Sequence, residues 1–498
     1  MTIYSFSPFG YEGALVAVEA DIRKGIPSVD IVGLADGSVK EARERMKAAV
    51  TASGFGFPDG RVLLSLAPAD LKKEGAGFDL AMALAVLDKQ TPVEHATDTW
   101  LCYAELEISG KLRPLRGTYA ALETAKAHGI TKAIVAADVP DCEIPEGMTA
   151  WRVKNLKQAR HIVTLLSDNL EIPEVPRYKP DGIKFPVEGD GTLDGLKDTA
   201  LLRAMMIAAA GRHHLLAVGT PGCGKTLALL HFPELLPELT AEEAQAVTRI
   251  HSLAGLVGGK DGAEMMRVPP FRMPHQTSSV EGMCGGGVHC RPGEISLAHN
   301  GVLFLDEAAE FKTSVLQMLR VPLETGRVMI SRAGRTTVYP SNFQLVMAAN
   351  PCPCGNYGEE GKLCLCSGHT VSQYWKKFTA PLIDRIAICV HATGGDDGSE
   401  RLTLAEMREK IALATKAQRR RGMYNQSITP TYIGSFCVMT ERAKEAYGDL
   451  AELSQRAHLN VLRVARTIAD LDGSAEIESG HIDEAARLAT WTLPEMMQ

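Results

Sequence analysis

An apolar run, Leu215-Leu216-Ala217-Val218, leads into Gly219-Thr220-Pro221-Gly222-Cys223-Gly224-Lys225-Thr226, and Leu227 to Leu230 follow. Apolar residues on both sides of a glycine-rich stretch predict a strand, a tight loop and the start of a helix. In that setting successive backbone N–H groups converge on phosphate oxygens. Lys225 then reaches the β- and γ-phosphates of a nucleoside triphosphate such as ATP, and the Thr226 hydroxyl ligates Mg²⁺. Gly219, Gly222 and Gly224 supply backbone angles closed to residues with a Cβ. Thr220, Pro221 and Cys223 complete the cradle, Cys223 as a small filler whose thiol makes the site sensitive to oxidation.

Further side chains belong with this loop. Val302-Leu303-Phe304-Leu305 precedes Asp306 and Glu307, the pattern of a buried parallel strand that delivers carboxylates to its C-terminal edge. Asp306 is suited to hold Mg²⁺ and Glu307 to polarise an attacking water. Another apolar strand, Phe343 to Ala349, ends in Asn350, whose amide can hydrogen-bond the γ-phosphate or that water. Arg385 follows the apolar turn Pro381-Leu382-Ile383-Asp384. It either reaches a neighbouring subunit's nucleotide, stabilising charge on the γ-phosphoryl, or pairs with Asp384 or another acid. Arg456, Arg463 and Arg466 compete to send a second arginine back to the nucleotide, and Arg456, near its helix start, is favoured. Arg419-Arg420-Arg421 reads as a solvated helix end suited to the macrodipole. Finally, Cys352-Pro353-Cys354 and Cys364-Leu365-Cys366 flank a segment containing three glycines. Four thiolates on such a loop can close tetrahedrally on Zn²⁺; reduced free cysteines and a redox pair are the alternatives.

The surrounding chain must position these groups. At 498 residues it exceeds one hydrophobic core and predicts about three domains. Its 45% hydrophobic and 23% charged residues are those of a globular protein. A net charge of −7 argues against a surface coated in cations for nucleic acid, though not against a local basic channel. The start, Met1-Thr-Ile-Tyr-Ser-Phe6, lacks a basic segment followed by an apolar one. With no run of membrane-spanning length, this predicts a cytoplasmic protein without membrane contact. Eleven cysteines, an odd number, fit reduced thiols with one candidate metal site.

Residues 1–170 mix strand patterns (Ala14 to Val18, Val29 to Val32, Val62 to Leu66, Ala133 to Ala136) with helical ones at Val39 to Ser53 and Tyr119 to His128, an α/β domain. There Asp79 is expected to N-cap a buried helix running to Leu87. Residues 171–190 carry Pro173, Pro176, Pro180 and Pro186 and read as a linker. Residues 191–395 hold the phosphate loop and its strands. Residues 396–498 are helical by periodicity, with helices at Leu404 to Arg421, Glu441 to Tyr447 and Leu459 to Leu471.

These motifs resemble the magnesium-chelatase-like family of AAA+ ATPases, in particular its ComM (YifB) type, over nearly the whole chain. The likeness rests on Val29-Asp-Ile-Val-Gly-Leu34, Glu41-Ala-Arg-Glu-Arg45, Leu66-Ala-Pro-Ala-Asp-Leu-Lys-Lys-Glu-Gly75 and Phe78-Asp-Leu80. It continues through Arg291-Pro-Gly-Glu-Ile-Ser-Leu-Ala-His299, Gly301 to Glu307 and Asn350-Pro-Cys-Pro-Cys-Gly355. It implies an AAA+ P-loop core, a parallel sheet with helices on both faces, followed by a helical lid. Before the core it implies a Lon-protease-like (ribosomal S5 domain 2-like) α/β domain.

The resemblance assigns Lys225, Thr226, Asp306, Glu307, Asn350, Arg385 and Arg456 the roles above, with ATP and Mg²⁺ as cofactors. It implies a homo-hexameric ring that moves on branched or single-stranded DNA and drives branch migration while incoming DNA is integrated. Two insertions are implied, one around Phe271 to His275 and Gly285 to Gly287, the other a hairpin from Gly326 to Pro340. Arg327, Arg332 and Arg335 stand in that hairpin, and Thr325 to Gly358 contains no acid, so six hairpins would line a basic pore. An ordinary hairpin with solvated arginines is the alternative.

The first domain is also similar to the Lon proteolytic domain. The segment carrying Lon's nucleophile reads Lys73-Glu74-Gly75-Ala76-Gly77, with glycine at the serine position. Pro114-Leu-Arg-Gly117-Thr-Tyr-Ala-Ala121, matching the segment of the catalytic lysine, contains none. Acyl transfer cannot run by that route, and a scaffold or DNA-binding collar is expected. Lys197-Asp198, His275-Gln276 and Ala308-Ala309 depart from the family pattern. The competing functions are the motor subunit of a magnesium chelatase and a nucleotide-gated scaffold.

Overall fold

The computed structural model describes residues 1–498 except 35, 74, 93–97, 166–181, 258–265, 333–334, 359–361, 396–400, 451 and 490–498. Linker residues 171–181 and Glu74 therefore lie outside the described residues.

The N-terminal sheet contains Thr2–Ser7 (β1), Ala14–Arg23 (β2), Ser28–Val32 (β3), Arg61–Ala67 (β4), Thr99–Tyr103 (β5), Lys132–Ala136 (β6) and Thr149–Val153 (β7). They lie in the order β3-β4-β2-β1-β5-β6-β7. β2 runs antiparallel to β1 and β4, and the other pairs are parallel. Helices Gly37–Ala52 (α1), Asp79–Gln90 (α2) and Thr118–Ala127 (α3), with Leu156, Ala159 and Val163 from a further helix, pack into the core of this part. In α2, Leu80 to Leu87 are all buried, as a helix without a polar face must be.

Asp79 does not cap α2. The N-cap is Phe78 and Asp79 is the first helical residue. Its carboxylate is fully buried and accepts from Arg45 Nε at 3.0 Å and Nη2 at 3.2 Å, so it ties α1 to α2. At the position of Lon's serine, a Cβ on Gly77 would lie 2.6 Å from the Tyr103 ring, so an aromatic side chain fills the space a nucleophile needs.

The second sheet is wholly parallel. Leu215–Gly219 (β8), Phe271–Arg272 (β9), Val302–Leu305 (β10), Gln344–Ala349 (β13) and Ile388–Ala392 (β14) lie in the order β9-β10-β13-β8-β14. Arg327–Arg332 (β11) and Arg335–Pro340 (β12) form the separate hairpin. Among the helices of this part are Thr199–Gly211 (α4), Lys225–Leu230 (α5), Ala241–Ala254 (α6), Arg320–Thr325 (α7) and Ala380–Ile383 (α8). Leu404–Arg421 (α9), Glu441–Gly448 (α10), Gln455–Leu471 (α11) and Ser479–Ala489 (α12) then form the helical C-terminal part. α11 starts earlier than its apolar periodicity suggests because Ser454 caps it, accepting from Ala457 N at 3.2 Å. Asp198, one of the departures from the family pattern, caps α4 through Leu201 N and accepts from Gly394 N, both at 2.9 Å.

Arg249 of α6 joins the two sheets. It donates to the carbonyls of Tyr11 and Glu12 at 3.0 Å and pairs with Glu123 of α3 at 2.5 Å.

Burial lifts the Asp79 carboxyl to about 6 from 3.8, with Arg45 pulling it back. Because the folded pKa lies above the unfolded one, ionisation in that window disfavours the fold, and stability falls as pH rises through it. Arg45→Ala leaves the buried charge unpaired and should cost roughly 3 kcal/mol at pH 7. The expected loss in melting temperature shrinks at pH 5, where Asp79 protonates; an equal loss at both pH values would show that the pair does not hold α1 to α2.

Candidate functional site

Three neighbouring strands of the second sheet end together. Val218 pairs with Ala349 and Met347 with Leu305, so the residues that follow β8, β13 and β10 meet at one edge. Lys225, at the start of α5 and 7% exposed, donates from Nζ to Asn350 Oδ1 at 2.9 Å and to the Thr220 carbonyl at 3.1 Å. Burial pushes its pKa down, opposed by the negative groups nearby. The Thr226 hydroxyl donates to Asp306 Oδ1 at 3.0 Å, bringing together the two groups suited to a Mg²⁺ ion. The same carboxylate oxygen accepts from Glu307 N at 3.0 Å. Glu307 is exposed and has left-handed backbone (φ 48°), a strained conformation of the kind that collects at active sites.

The glycines divide by reason. Gly222 and Gly224 have φ of 85° and 91°, as a phosphate-wrapping loop requires. Gly219 does not; a Cβ there would strike the carbonyl of Ala392 in β14, so close strand approach demands it. Cys223 Sγ lies 3.0 Å from where that Cβ would be and fills the gap. Pro221 abuts Gly355 of the cysteine loop so closely that a Cβ on Gly355 would overlap its ring.

The arginines lie elsewhere. A cavity of about 710 Å³ opens beside His214, Gly301 and Gln344, where β8, β10 and β13 begin, and Arg385, Arg456 and Arg463 line it. This is the opposite end of the sheet from the phosphate loop, so Arg456 is not sent back to the nucleotide edge of its own chain. Arg385 donates to the Pro381 carbonyl and to Glu324 of α7, and Arg456 Nη2 lies 3.9 Å from the same carboxylate. Sequence reasoning allowed Arg385 an acidic partner without locating Glu324, which stands immediately before the acid-free stretch. Arg466 is committed to the lid: it is 2% exposed, pairs with Asp470 at 3.1 Å and donates to the carbonyls of Ser474 and Ala475. Arg463 donates to the Ile428 carbonyl at 2.8 Å.

In the cysteine loop, Sγ of Cys352 lies 3.3 Å from Cys354 and 3.7 Å from Cys364, and Cys354 lies 3.6 Å from Cys364. With Cys366, all four sulfurs fall within 4.8 Å of one another. Zn–S bonds of about 2.3 Å in a tetrahedron put sulfurs somewhat under 4 Å apart, so these donors fit Zn²⁺. The backbone N–H of Asn356, first among several hydrogen bonds, holds the Cys354 thiol down at about 6.

The hairpin is amphipathic, with Val328, Ile330, Thr337 and Tyr339 buried and Arg327, Met329 and Thr336 exposed. Arg335 is not a free pore residue. Its guanidinium stacks 3.5 Å from the Phe9 ring centroid, and Tyr11 N donates to Thr337 Oγ1 at 3.0 Å, so β12 is docked on the N-terminal part. Arg332 is exposed, 3.6 Å from Glu281. Among the described residues no helix is long and apolar enough to cross a membrane.

Family models agree with this geometry. "Magnesium chelatase, subunit ChlI" matches residues 195–397, "Subunit ChlI of Mg-chelatase" residues 18–139, and "Magnesium chelatase, subunit ChlI C-terminal" residues 402–488. An uncharacterized protein of Mycobacterium tuberculosis is 36% identical over 97% of this chain and 96% of its own. Competence protein ComM of Haemophilus influenzae and the uncharacterized protein YifB of Escherichia coli are each 34% identical over the same shares. The three matches succeed one another along the chain, and the likeness to ComM and YifB runs its length: the chain belongs to the magnesium-chelatase-like family of AAA+ ATPases, and within it to the ComM/YifB type.

Proposed function

We propose that the protein is an ATP-driven motor that assembles as a homo-hexameric ring, moves on DNA and drives branch migration during recombination in natural transformation. The observation that carries this reading is the separation of the site into two halves. Lys225, Thr226, Asp306 and Asn350 converge at one end of the sheet, while Arg385 and Arg456 face a cavity at the other. One chain cannot bring both halves to one nucleotide, but neighbours in a ring can. The name of the Haemophilus relative, competence protein, supports the biological setting.

In this reading residues 191–395 hydrolyse ATP, 396–498 form the lid, and 1–170 form a collar joined through the linker 171–190. The phosphate loop and Lys225 bind the phosphates, and Asn350 orients the γ-phosphoryl or the water. Glu307 takes the proton from that water as it attacks. Thr226 and Asp306 would hold Mg²⁺, which when bound would supply charge neutralisation. The partner's Arg385 and Arg456 meet charge that develops as the γ-phosphoryl departs. Arg332, with Arg327, offers the hairpin's contact to phosphates, and Arg335 contributes only if it leaves Phe9. Cys352, Cys354, Cys364 and Cys366 would hold a structural Zn²⁺, which would stiffen the loop leaning on Pro221.

Lys225→Ala should lose ATP binding. Arg385→Ala should keep it, with hydrolysis reduced about 10²-fold or more. Mixing these two inactive proteins should restore partial hydrolysis, because some interfaces pair an intact phosphate loop with an intact arginine; no restoration at any ratio would rule out the shared site. Wild-type hydrolysis should rise with three-way branched DNA above its rate with linear duplex or none. If every DNA leaves the rate unchanged, the motor acts on something other than DNA, with a chelatase-type role next in line.

The wild-type protein should carry about one zinc per chain by metal analysis. The double variant Cys352→Ser, Cys364→Ser should carry none and bind ATP several-fold more weakly. Full metal content in the variant would dismiss the site.

A further inference from the structure

We propose that Glu324 is a positioning residue that links the shared arginines to the hairpin. In the unassembled subunit its carboxylate stands where a neighbour's terminal phosphate lies in the ring. This rests on the shared site proposed above.

Glu324 uses its two oxygens separately. Oε2 accepts from Arg385 and Oε1 faces Arg456 at 3.9 Å. One anion spanning two guanidiniums through separate oxygens is also what a phosphoryl group presents. The pairing with Arg385 holds the Glu324 carboxyl below its ordinary range.

The cavity around the pair is under-neutralised. Arg212 pairs with Glu243 at 2.7 Å, leaving Arg385, Arg456 and Arg463 against Glu324 and Asp384 on the same wall. Nε of Arg385 is buried with no hydrogen-bond partner among the described residues, a donor in reserve. The Glu324 side chain is 59% exposed and that of Arg385 only 9%, so the carboxylate stands at the open side, where an arriving anion would displace it.

Glu324 is also joined stiffly to the hairpin. It lies in the last turn of α7, which ends at Thr325, and β11 begins at Arg327. Thr325 Oγ1 donates to Val321 O at 2.9 Å and accepts from Arg327 N at 3.3 Å. Ser341 N donates to Gly326 O at 2.8 Å, closing the base from the β12 side. Gly326 has φ 63°, and a Cβ there would overlap Asn342, so this joint takes no other residue without strain. A shift of Glu324 therefore moves both ends of the hairpin instead of being absorbed by a loop. Occupation of the neighbour's nucleotide site exchanges the partner of Arg385, frees α7 and resets the hairpin.

The test is Glu324→Gln in the full chain, a same-shape change at an exposed side chain. Hydrogen exchange across 327–340 is followed before and after addition of a non-hydrolysable ATP analogue. In the wild type the analogue should change exchange at the hairpin. In Glu324→Gln the changed pattern should be present beforehand and shift no further. Basal hydrolysis should rise about fivefold, the worth of one half-exposed ion pair, while stimulation by DNA falls away. Glu324→Asp, which keeps the charge, should lie between the two. If Glu324→Gln exchanges and hydrolyses as the wild type does, the coupling is overturned even though Arg385→Ala is inactive. If Arg385→Ala is fully active, the shared site fails and the coupling with it.

Discussion

A buried ammonium must be surrounded by acceptors or anions, and Lys225 is met by two neutral oxygens, a carbonyl and an amide. Those acceptors come from different strands' ends, so the contact exists only when β8 and β13 are in register. The same register sets Asp306 against Thr226 through β10. The parallel sheet can thus be viewed as the support for one cation, with its fully buried strands excluding water from the back of the site. The Lys225 amine stands at a place that favours a polyphosphate over water.

What could be read from the sequence was what local pattern carries. Asp306 and Asn350 each follow an apolar strand directly, and Lys225 and Thr226 follow one across the glycine loop, so strand polarity with that loop brings them to one edge. Gly222 and Gly224 were legible because positive φ is a property of the loop itself. Gly219 was recognised for the wrong reason, since its constraint comes from Ala392 on a distant strand. Asp79 has the type and position of a cap, but its partner Arg45 lies on another helix, and pairing won over capping. Arg456 was found at the start of a helix, yet the direction that helix faces is set by packing. Asn460 on the same helix donates to the Asp384 carbonyl at 3.3 Å, holding this end of α11 beside Arg385 and away from the phosphate loop. Nothing in the neighbourhood of Glu324 or Phe9 marks either as a partner of an arginine.

The N-terminal part bears on the ATPase part through well-fixed contacts. Arg249 reaches it from α6 and Phe9 reaches back to β12 through Arg335. Tyr11 takes part in both, meeting Tyr339 edge-to-face at 5.8 Å and lying under Arg249 at 4.8 Å. The α/β part thus presents Phe9 and Tyr11 as a wall against which the hairpin rests.

Placing phosphate-binding groups and arginines at opposite ends of one sheet gives the chain a head and a tail, and the ring proposed above would use both. Unlike surfaces of this kind join in series, in one rotational sense, and only closure satisfies all of them. An unclosed arc, whatever its length, would expose one nucleotide edge with no arginines facing it and one arginine pair with no nucleotide to face. In the proposed ring, the last joint to form would be the one that removes both orphans at once.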